Sequence, residues 1–495
     1  MEHFDVVVVG AGLSGIGAGY RLQTECPGRS YVILEARDAI GGTWDLFRYP
    51  GVRSDSDMFT LGYAFRPWRE PKSIADGDTI RDYIRSTAKQ FRIEDKIRFR
   101  TKVVGTDWSS EQQRWTVTVE QGTGQGDGDG AGERRTLTCD FLYSCAGYYD
   151  YGSGYTPDFP GLEDFGGTVV HPQFWPEDLD YAGKRVVVIG SGATAVTLVP
   201  SMAREAGHVT MLQRSPSWIG AVPGRDKLAD QLRAVLPPRV AHRIIRAKNI
   251  AFTIGVYQFC RRRPAAARKV LTKLATRFLK DEALVREHFT PSYNPWEQRL
   301  CAAPDADFFR AIRGGKADVV TDHIEAFVPE GIRLVSGKVL PADVVVTATG
   351  LRLLAFGGIA PKVDGVEVPL AEQFVWRGAM VTGIPNFAVC IGYTNASWTL
   401  RGDLSSRLVC KVLNHMAARD FASVVPAPDG KLRERPLLDL SSGYIRRSIQ
   451  EFPRAGHRSP WRVRQNYILD AATTMRTDLD RTLRPTRREK ARTGS

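Results

Sequence analysis

Three glycines near the start of the chain separate an apolar run from a helical pattern. The run extends from Phe4 to Val9, and the glycines follow it in the spacing Gly-x-Gly-x-x-Gly. Such a turn lets a pyrophosphate approach the backbone, and the N-terminus of the following helix offers it unpaired N–H groups. The sequence therefore predicts a dinucleotide site, whose contact residues are Gly10, Gly12, Leu13, Ser14 and Gly15.

An acidic residue ends the next apolar run, which extends from Tyr31 to Leu34. Glu35 follows Gly15 by twenty residues. A carboxylate at this distance accepts hydrogen bonds from ribose hydroxyls and repels a 2′-phosphate. Glu35 and the adjoining Ala36 therefore predict FAD or NAD, and not NADP, at this first site.

A second strand-turn-helix pattern begins at Arg185. The strand that follows it ends in Arg214 and Ser215, where the first pattern has an acid. A guanidinium and a hydroxyl at this place favour a 2′-phosphate, so this second site is predicted to prefer NADPH over NADH. Its other predicted contacts are Gly190, Ser191, Gly192, Ala193, Thr194 and Ala195.

Two adjacent glycines and several aromatic residues follow the first pattern. Gly41 and Gly42 give a flat ring access to the backbone, and Trp44 and Tyr49 are placed to wall it. An ordinary aromatic core is the alternative, and the two interpretations are compatible because a ring-binding pocket is part of a core. The predicted contacts are Gly42, Thr43, Trp44, Tyr49 and Asp55.

A connector with unusual spacing precedes the second pattern. Residues 165–176 read Phe-x-Gly-x-x-x-His-x-x-x-Trp-Pro, which by composition is a glycine-rich, proline-terminated linker. The spacing resembles the fingerprint of the type I Baeyer–Villiger monooxygenases, and residues 41–55 resemble a second signature of that family. Residues 45–57 and 392–400 carry a closer likeness to one branch of the family.

The resemblance implies an α/β fold with two Rossmann-like units, one for FAD and one for NADP. A Gly- and Asp-rich stretch, residues 121–135, predicts a mobile hairpin loop without function. The implied divisions are an FAD-binding part at 1–150, a connector at 151–183, an NADP-binding part at 184–222 and 291–340, a helical insertion at 223–290, and a second FAD-binding part with the C-terminal tail at 341–495.

The resemblance also implies a reaction. NADPH reduces FAD, reduced FAD and O₂ form a C4a-peroxyflavin, and this species converts a ketone to an ester or a lactone. Sulfides and thioamides are further expected substrates. Residues 293–301 match the family segment that carries an essential arginine, here Arg299. The implied role of Arg299 is to stabilise negative charge, with Asp55 orienting it through a hydrogen bond.

Two family positions qualify these expectations. Family members often carry Lys before the essential arginine, whereas this chain has Gln298. The expected preference for NADPH therefore rests more heavily on Arg214. The connector around His171 and Trp175 is expected to control the rotation of one domain against the other, and not to take part in bond making.

The composition is that of a globular protein with two to four domains: 495 residues, 43% hydrophobic and 25% charged. Glu2 and Asp5 interrupt the N-terminal run, so a signal peptide is not predicted. No stretch reaches the ~18 uncharged apolar residues of a membrane span. The seven cysteines form no C-x-x-C pair. Neither a disulfide scaffold nor a metal site is predicted, and a reducing cytoplasm is expected.

Much of the net charge of +13 lies in one segment. From Arg239 to Lys280 there are twelve basic residues and no Asp or Glu. Two interpretations stay open: a solvated basic face beside a substrate entrance, and a peripheral contact with anionic lipid. Nucleic acid is disfavoured because no nucleic-acid-binding motif accompanies the charge. A second basic cluster, Arg484 to Arg492, predicts a solvated tail.

Three other functions agree with parts of the sequence. A flavin monooxygenase that oxidises sulfur or nitrogen shares both nucleotide sites but not the spacing of the connector. A disulfide or quinone reductase shares the cofactors, but the missing C-x-x-C pair argues against the disulfide reductase. A membrane-surface protein with a vestigial enzyme conflicts with the intact glycine motifs. Neither the physiological ketone nor the oligomeric state follows from the sequence.

Overall fold

The computed structural model describes residues 1–122 and 132–488. Most of the predicted loop at 121–135 and the last seven residues of the chain lie outside the described part. The helices are α1 (Leu13–Glu25), α2 (Thr43–Leu46), α3 (Met58–Leu61), α4 (Gly77–Gln90), α5 (Ala193–Met202), α6 (Lys227–Val235), α7 (Pro238–Arg262), α8 (Pro264–Leu279), α9 (Glu282–His288), α10 (Asp307–Arg313), α11 (Trp398–Arg419), α12 (Gly443–Ser448) and α13 (Tyr467–Thr474).

The strands are shorter and more numerous. They are β1 (Glu2–Val9), β2 (Tyr31–Leu34), β3 (Ile97–Arg98), β4 (Thr101–Ser109), β5 (Arg114–Gln121), β6 (Glu133–Ser144), β7 (Tyr149–Gly154), β8 (Thr168–Val170), β9 (Arg185–Ile189), β10 (His208–Gln213), β11 (Ile219–Val222), β12 (Cys301–Pro304), β13 (Ala317–Thr321), β14 (Ile324–Val328), β15 (Gly331–Leu334), β16 (Val339–Pro341), β17 (Val344–Thr347), β18 (Leu351–Leu353), β19 (Pro361–Val363), β20 (Val366–Glu367), β21 (Val375–Trp376), β22 (Met380–Val381), β23 (Phe387–Val389), β24 (Phe421–Pro426), β25 (Glu434–Arg435), β26 (Ala455–Gly456) and β27 (Leu483–Arg487).

The first unit is built on an 11-stranded sheet with β1 in its interior. The main strand order is β20-β19-β4-β5-β6-β1-β2-β3, and β23 joins through β6. β1 runs parallel to β2 and β6, with Val9 opposite Leu34 on one side and Ser144 on the other. Its apolar run is continuous because both faces of the strand are covered, and Val6, Val7 and Val8 are fully buried. α1 follows β1 and packs against α11.

The second unit is a five-stranded parallel sheet in the order β13-β10-β9-β17-β8. β9 leads into α5, as β1 leads into α1. The predicted divisions differ from this sheet at two places. β17 (Val344–Thr347) belongs to the second sheet, although residues from 341 onward were assigned to the first unit. β8 (Thr168–Val170), which lies in the predicted connector, is its edge strand.

Four helices, α6 to α9, occupy most of residues 223–290. α7 packs on α3 of the first unit through buried polar side chains. The guanidinium of Arg246 donates hydrogen bonds to the backbone oxygens of Phe59, at 2.7 Å, and Gly62, at 2.8 Å. These acceptors are carbonyls at the end of α3, which a helix leaves without internal partners. Because α8 also packs against α10 and α9 against β13 of the second unit, the insertion is joined to both units of the molecule.

The C-terminal segment is more ordered than its composition predicts. Leu483–Arg487 forms β27, which pairs antiparallel with β24 and closes against α11. The side chains of Arg484 and Arg487 are exposed. The predicted solvation of this segment therefore holds for its described arginine side chains, while the buried Leu483 anchors the backbone in a strand. The parallel strands β6, β1, β2 and β3 within the mixed first sheet, together with the parallel second sheet, confirm the predicted α/β class.

Candidate active site

The turn between β1 and α1 has the geometry that its glycines predict. The N-terminus of α1 carries no side-chain cap, so its first N–H groups are free to bind a ligand. Gly10 and Gly12 line a cavity at this turn, together with Leu13 and Ser14. Gly15 does not: a Cβ atom there would lie 1.8 Å from the backbone oxygen of Gly10. Gly15 therefore serves close packing of helix on strand.

Two glycine backbones meet at this turn. A Cβ atom on Gly42, whose φ is +57°, would lie 3.1 Å from the Cα of Gly12. A Cβ atom on Gly12 would lie 3.5 Å from the Cα of Gly42. Side chains at these positions would fill the cradle that the bare backbones leave open. The cradle and the uncapped helix end fit a pyrophosphate.

Glu35 is fixed at the end of β2 beside this cradle. Its carboxylate accepts hydrogen bonds from the backbone nitrogens of Ala11, at 2.6 Å, and Arg37, at 2.9 Å. The side chain is 6% exposed, and burial raises the pKa of Glu35 although both backbone hydrogen bonds lower it. Glu35 and Ala36 line the cavity. This geometry fits a ribose, because each carboxylate oxygen keeps a second lone pair for a hydroxyl donor.

The second glycine turn, between β9 and α5, opens onto the same cavity. The helix N-terminus carries no side-chain cap, and a Cβ atom on Gly192 would have no neighbour within 4 Å. Ser191 is held by Ser217, with their hydroxyl oxygens 2.7 Å apart. The other predicted residues here that line the cavity are Gly190, Ala193 and Thr194, whereas Ala195 is fully buried in the core.

Arg214 and Ser215 lie at the cavity edge, at the end of β10. Both are exposed, and Gln298 also lines the cavity. A cation at the end of the second strand of such a unit fits a 2′-phosphate, whereas the carboxylate of Glu35 at the matching place does not. The first unit thus has a negative charge at this position and the second a positive one, as the prediction of two different cofactors requires.

One cavity of about 1750 Å³ runs through both turns. The ring-binding segment contributes Thr43, Trp44, Tyr49 and Asp55 to its wall, and Arg299 reaches it from the second unit. Nε of Arg299 lies 3.1 Å from Oδ2 of Asp55, and the side chains are 33% and 20% exposed. The contact is an ion pair without hydrogen-bond geometry, which corrects the predicted hydrogen bond.

Arg299 is a permanent positive charge at this point. Burial alone would lower its pKa, but the negative charge of Asp55 raises the pKa of Arg299 above its ordinary value. Among the described residues, no protein oxygen accepts a hydrogen bond from the guanidinium. Its N–H donors are therefore free for a ligand in the cavity.

Three tyrosines that the sequence did not single out surround this cation. Burial raises the pKa of Tyr148, Tyr149 and Tyr444 well above the usual value for tyrosine, so all three stay neutral. Tyr148 also packs edge-on against Trp398, with ring centroids 4.9 Å apart. They come from two segments far apart in the chain, residues 148–149 and the start of α12. No local pattern marks them, although Tyr148 and Tyr149 follow β6 directly.

The segment that carries Asp55 is docked on the second unit. Tyr49 is buried in the core of that unit, and a Cβ atom on Gly51 would lie 1.8 Å from the hydroxyl oxygen of Ser201. The guanidinium of Arg53 forms a two-pronged ion pair with Asp307 at the start of α10. These contacts hold Asp55, which belongs to the first unit, next to Arg299 in the second unit.

The connector lies behind the cavity wall. The Nε2 of His171 lies 3.3 Å from the backbone oxygen of Gly350, and its Nδ1 accepts a hydrogen bond from the backbone nitrogen of Gln173 at 3.2 Å. Burial lowers the pKa of His171. Trp175 packs against the core of the second unit. Neither His171 nor Trp175 lines the cavity, and their expected control of domain rotation stays a prediction.

A metal centre does not emerge from the described ranges, 1–122 and 132–488. They contain no group of three or more His, Cys, Asp or Glu side chains arranged to hold a metal ion. Within the same ranges, no helix combines the length and apolar character needed to cross a membrane. All seven cysteines are free and buried.

Comparisons with known families and solved structures agree with this architecture. Residues 63–226 match the flavin-binding monooxygenase-like family, and residues 8–69 match the NAD(P)-binding Rossmann-like domain. The structure of oxidised steroid monooxygenase bound to NADP superposes with a TM-score of 0.77, at 21% identity, over 98% of this chain and 100% of that one. The open structure of cyclohexanone monooxygenase gives 0.70, at 19% identity, over 87% and 91%. At these identities the likeness concerns the fold.

Relatives in sequence are much closer. The chain is 51% identical to the FAD-containing monooxygenase EthA of Mycobacterium tuberculosis over 481 residues, which are 97% of this chain and 96% of the relative. It is 49% identical to the putative FAD-containing monooxygenase MymA of the same organism over 486 residues, again 97% and 96%. The predicted family resemblance is confirmed, and the chain belongs to the family of FAD-containing monooxygenases, which are flavin-dependent oxidoreductases.

Proposed function

We propose that the enzyme is an NADPH-dependent Baeyer–Villiger monooxygenase that inserts one atom of O₂ beside a ketone carbonyl and forms an ester or a lactone. The observation that carries this proposal is the Arg299–Asp55 ion pair in the wall of the cavity that joins the two glycine turns. A site that only transfers hydride between two cofactors needs no such fixed cation. An oxygen insertion does, because negative charge develops first on the oxidant and then on the carbonyl oxygen.

FAD and NADPH are assigned to different ends of the cavity. The first turn, with Gly12 and Gly42 forming its cradle and Glu35 at the ribose, would hold FAD; Trp44 would lie along its ring. The second turn, with Gly192 at its opening, would hold NADPH, and Arg214 would meet the 2′-phosphate. When bound, these cofactors supply hydride transfer and the activation of O₂.

Arg299 would act on charge and position. Its guanidinium cannot lose a proton at any working pH, so it does not quench an anionic oxidant by protonation. Asp55 holds one edge of the guanidinium and leaves the remaining N–H donors for the oxygen atoms that become negative during the reaction. Preorganised donors of this kind typically contribute a hundredfold or more to turnover.

The surrounding tyrosines would keep additional negative charge and water away from Arg299. Because Tyr148, Tyr149 and Tyr444 remain neutral, they add no negative charge beside Arg299. Their rings and Trp398 also remove water from this wall. A dry wall limits proton delivery to the oxidant and with it the loss of oxygen as H₂O₂.

The decisive experiment follows label from ¹⁸O₂ into product, with FAD-loaded enzyme, NADPH and a panel of linear, cyclic and aryl ketones. One labelled oxygen in an ester or lactone supports the proposal. Arg299→Ala is expected to lower ester formation by about a hundredfold or more while FAD content stays unchanged. Ester formation by Arg299→Ala at a near-native rate would refute the role given to this residue.

Oxygenation of sulfur or nitrogen is the second candidate. The match of residues 63–226 to the flavin-binding monooxygenase-like family favours it. A sulfide and a thioamide in the same panel separate the two candidates. Sulfoxide as the sole labelled product, formed equally by the native enzyme and Arg299→Ala, would assign the enzyme to heteroatom oxygenation.

We further propose that the enzyme works in a reducing cytoplasm and makes peripheral contact with a membrane through residues 239–280. Free, buried cysteines support the first part, because a disulfide-forming compartment commonly uses such residues as cross-links. The concentrated positive charge of the segment supports the second part.

A further inference from the structure

Helix α7 presents large apolar side chains to solvent and buries three polar side chains, besides apolar ones, against the protein. Its buried face includes His242, Arg246 and Asn249, which are 8%, 7% and 9% exposed. Its outward face carries large apolar side chains along its length. They are Val240 (44% exposed), Ile244 (44%), Phe252 (67%) and Phe259 (41%). An ordinary surface helix keeps its large apolar side chains on the face toward the core, so this exposed set is unusual.

Internal packing explains the polar face and leaves the apolar one unexplained. Arg246 satisfies the carbonyls at the end of α3, and Lys248 forms an ion pair with Asp226. The exposed positions 240, 244, 247, 251, 255 and 259 recur every three or four residues and so form one stripe, and the exposed Phe252 lies along its edge next to position 251. From Val240 to Phe259 the stripe is roughly 28 Å long at the rise of an α-helix.

Cationic side chains accompany the stripe. Of the twelve basic residues between Arg239 and Lys280, Arg246, Lys248 and Arg268 are bound inside the structure. The other nine are exposed, and no Asp or Glu occurs between them in sequence. They are Arg239, Arg243, Arg261, Arg262, Arg263, Lys269, Lys273, Arg277 and Lys280.

We propose that the outward stripe of α7 binds the surface of an anionic lipid bilayer. A bilayer interface offers apolar depth for Val240, Ile244, Phe252 and Phe259 and phosphate groups for the flanking arginines. A second copy of the chain docked by the same face would oppose two strongly cationic surfaces, which costs free energy. Nucleic acid would meet the charge and leave the apolar stripe uncovered. Binding to lipid can be measured without turnover, so this proposal stands independently of the reaction.

The test is co-sedimentation of the full-length, FAD-loaded enzyme with extruded vesicles. Vesicles of phosphatidylcholine alone are compared with vesicles that contain roughly 30% phosphatidylglycerol, which imitate the charge of an anionic leaflet. Native enzyme is expected to bind the anionic vesicles and to dissociate as salt is raised. The pair Arg239→Gln and Arg243→Gln is expected to weaken binding roughly 25-fold, at about fivefold for each charge lost.

The apolar part is tested separately, by exposed positions that leave the core untouched. Phe252→Ser is expected to weaken binding roughly tenfold, and Val240→Ser to weaken it less. Val335→Ser, on an exposed valine of the β15–β16 turn, is the matched control for Val240. Arg433→Gln with Arg435→Gln removes the same charge elsewhere.

Three outcomes overturn the proposal. One is native enzyme that does not sediment with anionic vesicles, and another is a control pair that weakens binding as much as the α7 variants do. The third combines two results: native enzyme does not bind vesicles, and sedimentation velocity without lipid shows an oligomer. Phe252→Ser would convert this oligomer to monomer. That result would assign the stripe to a second copy of the chain. Selective loss in the α7 variants supports the bilayer.

Discussion

Single glycines at the two turns serve different purposes. Gly15 is closed in by the backbone of Gly10, whereas the space beside Gly192 is open. Gly15 therefore permits a packing contact inside the protein. Gly192 keeps the surface beside it open to a ligand. A motif of three glycines thus divides into residues whose loss harms folding and residues whose loss harms binding.

This distinction predicts opposite results for two small substitutions. Gly192→Ala has an ordinary backbone conformation, so its free energy of unfolding should be unchanged or up to about 1 kcal/mol higher. Its KM for NADPH should rise, because the new methyl group occupies the approach of the pyrophosphate. Gly15→Ala should instead lose about 3 kcal/mol of stability or more. Urea unfolding and steady-state kinetics measure both effects, and equal KM values for Gly192→Ala and native enzyme would contradict the assignment.

Arg214 is predicted to set the choice of nicotinamide cofactor. Arg214→Ala should raise the KM for NADPH about 10- to 100-fold, because a hydrogen bond to a charged group is lost, and should leave the KM for NADH unchanged. Gln298→Lys is the complementary variant. A second cation at this cavity position should lower the KM for NADPH, and the same KM shift with NADH would show that the 2′-phosphate is not involved.

At the level of elements, α7 depends on a neutral histidine at its contact with the first unit. Burial, with repulsion by Arg246, lowers the pKa of His242 to about 4. Between pH 6.5 and 4 the unfolded chain binds this proton and the folded protein does not. The contribution of His242 to stability is therefore complete above pH 6.5 and is lost progressively as pH falls toward 4.

The loss predicted for His242 is up to about 3 kcal/mol in the free energy of unfolding. His242→Gln should show a smaller decrease between pH 7 and pH 4.5 than native enzyme does, as followed by urea unfolding at each pH. His323→Gln, which changes an exposed histidine, is the control. If both variants follow the native pH dependence, His242 is not the titrating group.

The whole molecule depends on how its two units are held together. Arg53 and Asp307, 254 positions apart in sequence, join the Asp55 segment to α10. Arg53→Ala should lower turnover by displacing Asp55 from Arg299, with FAD content unchanged, and Arg53→Lys should restore part of it. A double-mutant cycle with Asp307→Ala should give a coupling energy of about 1–3 kcal/mol in thermal unfolding. A coupling energy near zero would mean that the pair does not join the units.

Local patterns predicted the two glycine turns, Glu35 and the family, because each depends on residues close together in sequence. The Arg299–Asp55 contact came from the family resemblance alone. The tyrosines around Arg299 were missed because two segments far apart in sequence, at residues 148–149 and at residue 444, bring them together. The apolar run of β17 is equally suited to either sheet, and its place depends on pairing with β9 and β8.

The helical insertion shows the same limit. Its charge is visible in the sequence, but its orientation is not, since α7 buries polar side chains such as Arg246 and exposes apolar ones such as Phe252. One side of the helix nevertheless reaches the cavity wall: Ile250 belongs to a buried cluster with Tyr393, which lines the cavity. A substrate dissolved in a bilayer would therefore meet the enzyme close to its reaction site.

The burial of every thiol has a consequence for the lifetime of the enzyme. An oxygenase that fails to transfer oxygen releases H₂O₂ into its own cavity, and thiolates are the side chains that peroxide attacks most readily. Cys301 lines that cavity but is 3% exposed, and burial raises its pKa to about 12, so it stays a thiol. Peroxide released into the cavity should therefore spare Cys301, and inactivation during long turnover should begin at other side chains.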